Sequence, residues 1–299
     1  MTRHEVRDAT TAAMTVIALV EACAARLEAA GVAFGHGTDN AFDEAAWLVL
    51  WQLGHPLHAL DEVADHPVTP EQEAQVTALI TRRISTRQPA AYLTREAWLQ
   101  GVPFYVDERS IVPRSFIAEL LVQGTIDSWL SENTTKVLDL CCGNGSLAVL
   151  AAMVYPEVQV DAADLSASAL EVARINVERH QLQGRVRLLQ SDGLLSVDGP
   201  YDLILCNPPY VNSQSMAALP AEYLAEPALA LAGGTDGMDF VRGFLGTVAV
   251  HLTENGVLVL ELGNERGNFE AAFPSLEVVW LETSAGEDQL VLITREALR

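Results

Sequence analysis

From Lys136 onward the chain alternates apolar strands with helices, and that alternation leaves few folds open. Val137-Leu138-Asp139-Leu140 reads as a buried strand and Leu147 to Tyr155 as a helix stopped by Pro156. Val158 to Asp164 reads as a strand and Ala167 to Arg179 as a helix. Val186 to Gln190, Leu203 to Cys206 and Val257 to Glu261 add strands, and Asp288 to Thr294 adds a late one with no helix after it. Strands apolar on both faces need helices on both faces. The class expected is therefore α/β, with a parallel, Rossmann-like sheet.

The first part of the chain has a different texture. Residues 1–90 read as a helical domain, with Met14, Ile17, Ala18 and Glu21 at helical spacing, and likewise Val76, Leu79, Ile80 and Ile84. Pro70 is placed to open the second of these helices. His36 to Asn40 reads as a loop, and Asp43 leads into a helix with Trp47 and Trp51 on one face. Residues 91–113 read as a strand or hairpin linker, on Tyr92, Leu93, Trp98, Leu99, Phe104, Tyr105 and Val106, broken by Gly101 and Pro103. Residues 114–299 form the α/β domain, whose first helix is expected to run from Pro113 toward Trp129.

Charge and composition narrow the partners. The 299 residues carry 40 acidic and 18 basic side chains, a net charge of −22. Affinity for duplex DNA comes largely from phosphate neutralisation, so this balance argues against DNA and for a small molecule or a cationic protein. The longest apolar run, Leu147 to Tyr155, is nine residues, and a spanning helix needs about 20. Met1-Thr2-Arg3-His4-Glu5 lacks the layout of a signal peptide. Cys23, Cys141, Cys142 and Cys206 include no C-x-x-C pair, so reduced thiols in a cytoplasmic protein are expected.

The junction of the first α/β strand and helix is Asp139-Leu140-Cys141-Cys142-Gly143-Asn144-Gly145. Glycines there let the backbone turn tightly and let a ligand approach a helix N-terminus. Gly143, Gly145 and Ala148 also mimic the dinucleotide pattern G-x-G-x-x-A. Asp164, with Leu165 after it, ends the second strand, where a carboxylate can accept both hydroxyls of a ribose. Asp192-Gly193 ends the third, where an adenine can be read. Asp139, Asp164 and Asp192 together predict an acidic rim that suits S-adenosylmethionine, with its ammonium and sulfonium, better than a pyrophosphate.

The fourth strand ends in Cys206-Asn207-Pro208-Pro209-Tyr210. Proline cannot continue a ladder, so the chain must leave the sheet there. The Asn207 side-chain oxygen and the Pro208 carbonyl can each accept one N–H of an incoming –NH₂ group. A planar amide nitrogen is a poor nucleophile, and two acceptors favour its pyramidal form. Orientation of this kind supplies up to roughly 7–11 kcal/mol in well-oriented systems, and Tyr210 can pack on a planar substrate group.

These residues resemble a known family. Cys141 to Gly145, Asp164, Asp192 and Asn207 to Tyr210 are similar to the protein-(glutamine-N5) methyltransferases, which use S-adenosylmethionine to methylate a glutamine side-chain amide. Glu226 to Leu231 and Gly233 to Gly237 resemble the family's segment beyond the catalytic loop, and Val106 to Arg109 and Val112-Pro113-Arg114 its interdomain stretch. Phe34 to Asn40, Asp43-Glu44-Ala45, Ala91 to Thr94, Phe104 to Arg109 and a cysteine at 141 resemble the branch that modifies the third protein of the large ribosomal subunit. The other branch modifies release factors. Cys142, Asn144 and Ser146 depart from the commoner Thr, Ser and Cys, all small.

The resemblance implies a class I methyltransferase fold: a seven-stranded sheet with an antiparallel last strand, and a helical N-terminal domain that presents the substrate. It implies Asn207, Pro208, Pro209 and Tyr210 as the catalytic loop, with Asn207, Pro208 and Tyr210 on the substrate. It implies cofactor contacts from Asp139, Cys141, Cys142, Gly143, Asn144, Gly145, Asp164, Leu165, Asp192, Gly193 and Asn207, and no metal. The partner implied is a basic ribosomal protein, to which a chain at −22 is attracted. Arg82, Arg83 and Arg87 form a local basic patch, read as a solvated face with contact to ribosomal RNA or to the substrate as the alternative. His55 and His58 lack further ligands at metal spacing, and Cys206 reads as strand core. The competing readings are a release-factor enzyme, an adenine-N6 methyltransferase, a non-catalytic assembly factor and a nicotinamide oxidoreductase.

Overall fold

Side-chain caps and glycine stops mark out the first helices. The computed structural model describes residues 14–299; the Met1 to Glu5 reading lies outside them. Thr15 caps α1 (Val16–Ala29) by accepting from the Ala18 N–H, and Asn40 caps α2 (Ala41–Leu53), which Gly54 ends at φ 76°. A short α3 (Leu60–Val63) follows. Thr69 and Gln72 form a capping box on α4 (Pro70–Thr86), with Pro70 in its first turn. The last of these helices, α5 (Ala90–Thr94), closes a unit that ends at Thr94; a second unit runs Arg95–Arg299.

Four details of the first unit differ from the sequence reading. The buried stripe of α1 is Val16, Leu19, Val20, Cys23, Ala24 and Leu27, whereas Glu21 is exposed. The spacing through Met14 and Glu21 follows a neighbouring, more polar face. Trp47 is buried, but Trp51 is exposed. Tyr92 and Leu93 are helical, because their N–H groups bond back to the Pro89 carbonyl. Arg82, Arg83 and Arg87 do not form a basic patch. Arg83 shares the buried stripe of Val76, Leu79 and Ile80; its Nε lies 2.8 Å from Glu44 Oε1, and its Nη2 donates to the Ala33 carbonyl at 3.0 Å. Arg87 donates to the carbonyls of Ala30 and Gly31.

The second unit opens with a hairpin, β1 (Ala97–Leu99) and β2 (Val102–Phe104), turned by Gln100 and Gly101 at positive φ. The run from Pro113 to Trp129 is not one helix. Helix α6 (Ile117–Gln123) forms, Gly124 ends it at φ 67°, and a separate 3-10 turn covers Asp127–Trp129. Arg114 and Ser115 stay outside the helix, where other contacts hold them.

The alternation then appears as read: β3 (Lys136–Leu140), α7 (Ser146–Val154), β4 (Gln159–Asp164), α8 (Ala167–Arg179), β5 (Val186–Gln190) and β6 (Tyr201–Cys206). After them come α9 (Ser213–Ala218), α10 (Asp239–Leu245), β7 (Leu252–Glu261), α11 (Arg266–Ala272), β8 (Val279–Thr283) and β9 (Gly286–Thr294). The sheet has seven strands in the order β5-β4-β3-β6-β7-β9-β8, and β9 runs antiparallel to both neighbours. One face packs Val137, Leu203, Leu205, Val257 and Val259 against α6, α7 and α8. The other packs Leu138, Leu140, Ile204, Leu258 and Leu260 against α10 and α11. Each such side chain contributes about 1.5–3 kcal/mol when fully buried. This is the class I methyltransferase fold, α/β with helices on both faces. The strand order reverses between β3 and β6, so a crevice opens at their C-terminal ends.

Candidate active site

The crevice is built on the turn between β3 and α7. Cys141 sits at φ 61°, Gly143 at 53° and Gly145 at 76°. A Cβ on Gly145 would stand 3.0 Å from the Ala173 Cβ, so glycine there lets α7 and α8 pack closely. The turn is then pinned from several sides. Gly143 N–H donates to Asp164 Oδ2 at 2.8 Å, and Cys142 N–H donates to the Ala163 carbonyl. Asn144 Oδ1 accepts from Ser146 N–H, and its Nδ2 donates to the Ile111 carbonyl at 2.8 Å. The fully buried Asn176 donates to the carbonyls of Asn144 and Tyr105. The Cys141 and Cys206 thiols share a hydrogen bond, and all four cysteines are free.

One cavity collects most of the predicted residues. Cys141, Cys142, Gly143, Asn144, Asp164, Leu165, Asp192, Gly193, Asn207 and Pro209 line it. Asp139, Gly145, Pro208 and Tyr210 do not. Asp139 therefore departs from the expected rim. It lies beneath the turn, 1% exposed, and its Oδ2 accepts from Ala148 N–H at 2.9 Å. Its Oδ1 is buried without a hydrogen-bond partner. Burial pushes the Asp139 carboxyl up to about 8, with Asp164 adding to the rise. Asp164 is also raised by burial, against the backbone N–H groups of Ser166 and Gly143 that favour its charged form.

The Asn207 to Tyr210 loop is fixed by glycines on other segments. A Cβ on Gly233 would stand 2.8 Å from the Pro209 carbonyl oxygen, and one on Gly237 2.3 Å from the Tyr210 carbonyl oxygen. A Cβ on Gly263 would stand 2.5 Å from the Tyr210 ring. Val211 N–H donates to the Leu231 carbonyl, and Gly233 N–H donates back to Val211. Glu226 fastens this wrapping segment to residues 112–114. Its carboxylate accepts two bonds from the Arg114 guanidinium, at 2.6 and 2.7 Å, and one from Val112 N–H.

Several cavity residues carry no signal in the sequence. Ile111, Ser115 and Phe240 reach it from segments far apart in the chain, beside Leu229 of the Glu226 to Leu231 stretch that the resemblance picked out. Glu261 was also missed. A carboxylate closing the apolar run Val257 to Leu260 was the available hint. Among the described residues no three His, Cys, Asp or Glu side chains cluster as metal ligands, and no helix is long and apolar enough to cross a membrane.

Known proteins resemble this chain in sequence and fold. Residues 118–238 match the Methyltransferase small domain family. Among solved structures, the hMettl16 catalytic domain in complex with MAT2A 3'UTR hairpin 6 has a TM-score of 0.51 at 12% identity, over 75% of this chain and 81% of that one, a likeness of fold. The ribosomal protein uL3 glutamine methyltransferase of Bordetella pertussis is 53% identical over 283 residues, 94% of this chain and 95% of the relative. Those of Neisseria meningitidis serogroup B and Bradyrhizobium diazoefficiens are 47% and 44% identical, over 95% and 94% of this chain and 94% and 90% of theirs. At such identity, over nearly the full length of each relative, the chain belongs to the ribosomal protein uL3 glutamine methyltransferase family.

Proposed function

We propose that this chain transfers a methyl group from S-adenosylmethionine to the side-chain amide nitrogen of a glutamine in ribosomal protein uL3, in the cytoplasm. The observation that carries the reading is the meeting of two motifs at one cavity: Asn207 and Pro209 line it together with the glycine turn and Asp164.

The residues present fit a cationic nucleoside donor. Asp139 is buried beneath the turn and Asp164 is partly buried, and the charge of Asp164 adds to the cost of ionising Asp139. An ammonium and a sulfonium relieve that cost, whereas a pyrophosphate adds to it. In this reading Asp164 takes the ribose hydroxyls, Asp192 reads the adenine and Leu165 gives it an apolar wall, and all three line the cavity. When bound, the donor supplies an electrophilic methyl on sulfur.

The chain's own part is to hold the acceptor. Asn207 Oδ1 and the Pro208 carbonyl each take one N–H of the glutamine amide, which turns its lone pair toward the methyl. As positive charge builds on that nitrogen both bonds strengthen, so they favour the transition state over the bound substrate. The product nitrogen then sheds a proton to solvent. The helical unit ending at Thr94 presents the acceptor protein, and the net charge of −22 draws a basic one.

The loop must stay where the glycines hold it. Gly237→Ala places a Cβ against the Tyr210 carbonyl at a backbone φ of 79°, so the loop shifts. The expected result is a loss of kcat of about tenfold or more, since misplacement by about 1 Å can cost 10²-fold. Steady-state kinetics beside a melting curve check it, and an unchanged kcat would mean the loop position is not critical.

The reading itself is tested by incubating the protein with S-adenosylmethionine and either free uL3 or a release factor. Fragment mass spectra then locate any added methyl. One methyl on a uL3 glutamine is expected. Methyl on the release factor alone would move the chain to the other branch. Methyl on neither, with donor binding intact, would overturn the proposal.

A further inference from the structure

Strand β7 ends in a carboxylate buried beside the catalytic loop. Glu261 is 3% exposed after four apolar residues. Cys206 pairs with Leu260, so the next step of the register sets Glu261 beside Asn207. Its oxygens meet hydrogen-bond donors from two segments. Ser115 Oγ donates to Oε2 at 2.5 Å and accepts from Ile117 N–H at 3.2 Å, and the backbone N–H groups of Phe116 and Ile117, at the start of α6, favour the charged carboxylate. The Tyr210 hydroxyl faces Oε1 at 3.4 Å, long for an O–H···O bond. The Tyr210 ring is therefore located jointly by Glu261 and by the bare backbone of Gly263.

A hydroxyl facing each oxygen, with backbone N–H groups beside them, suits an ionised carboxylate. Protonation turns one oxygen into a donor and costs the cluster at least one bond. The long bond to Tyr210 is the weakest and breaks first. We propose that Glu261 is a positioning residue for methyl transfer: as the carboxylate it ties Tyr210, and through it Asn207 to Pro209, to Ser115 and the start of α6. The inference rests on the reading of Asn207 to Tyr210 as the loop that holds the acceptor.

The titratable groups around Glu261 are Tyr210 on the loop and Cys206 on β6, with Arg114 and Glu226 facing Tyr210 from beyond. Tyr210 and Cys206 are both held neutral by burial, and Arg114 and Glu226 form a closed ion pair. Burial pushes Glu261 itself up to about 7, against the donors that favour its charge. It is the member of the cluster that changes charge near neutrality. The carboxylate form is the active one, so kcat rises with pH through that range. Asp139, pushed up to about 8, titrates nearby, and the variants below separate the two.

The test measures kcat against pH, at saturating S-adenosylmethionine and uL3, for wild type, E261Q and S115A, with donor affinity by calorimetry. A glutamine offers one acceptor where the cluster needs two. E261Q is expected to lose kcat by about tenfold or more, to keep donor affinity within about twofold, and to lose the rising limb. S115A removes a donor from the carboxylate, disfavours its charged form and moves the limb to higher pH. A wild-type kcat and limb in E261Q, a loss confined to donor affinity, or an unmoved limb in S115A would each overturn the proposal. If E261Q does not fold, the direction of the S115A shift decides alone. Wild-type turnover on uL3 in the same assay shows that the underlying reading holds; its absence removes that reading and this inference together.

Discussion

Asn207→Ala is expected to give a folded protein that binds its methyl donor and transfers methyl about 10³-fold more slowly, a loss of about 4 kcal/mol of transition-state stabilisation. The fold survives because the loop is held by other contacts. Gly233, Gly237 and Gly263 seat it, the backbone of Val211 bonds the wrapping segment, and Pro208 is buried. Donor affinity survives because other segments build nearly all of the cavity wall, the glycine turn, Asp164 and Asp192 among them. What disappears is one of the two acceptors that orient the amide nitrogen. Single-turnover transfer to uL3, beside calorimetric titration with the donor, separates the two effects. Wild-type turnover would refute the role of Asn207. A drop in affinity as large as the drop in rate would instead make Asn207 part of the donor site.

The fold was legible where local chemistry and packing agree. Helix α8 begins and ends as read because Ser166 caps it and its stripe of Ala169, Leu170, Ala173 and Val177 meets the sheet. Strands β3 to β7 were legible because a sheet covered on both faces is apolar on both faces. Helix α6 was overextended because Gly124 stops it, and the rigid Pro113 lies four residues too early to be its start. In the site, the glycine turn and Asn207 to Tyr210 announce themselves, since each places unusual residues at fixed spacing. Of the glycines that seat the loop, Gly233 and Gly237 were picked out only by the family resemblance and Gly263 not at all. Gly233, Gly237 and Gly263 matter only through contacts 24 to 53 residues away in the chain, and no local pattern encodes those. Arg83 was misread for a related reason. Positions 76, 79, 80 and 83 form one helical stripe, so its burial was written in the spacing, but a charge is assigned to solvent until its counterion is known.

That counterion makes the second large effect. Glu44 and Arg83 are 1% and 0% exposed and joined at 2.8 Å, with Thr38 also donating to the carboxylate. Removing one partner leaves a buried charge uncompensated, so Arg83→Met and Glu44→Leu are each expected to destabilise the first unit by about 3–5 kcal/mol. The double variant replaces both charges with apolar groups and should recover most of that loss or exceed wild type. The singles should differ in their pH dependence. Burial outweighs the pull of Arg83 and holds Glu44 above the ordinary carboxylate range. A group whose folded value is raised contributes stability that is present below its unfolded value and lost as pH rises through the folded one. Without Arg83 the rise is larger, so Glu44 takes up a proton well above its ordinary 4.5, and Arg83→Met should regain stability as the pH falls through that raised value. Arg83 cannot shed its charge in this range and leucine does not titrate, so Glu44→Leu should show no such regain as the pH falls. Hydrogen exchange of the α1, α2 and α4 peptides in the full-length chain, read at several pH values, measures each loss in place. Parallel pH profiles for the two singles would show that the surroundings of the pair, and not the stranded charge, set the cost.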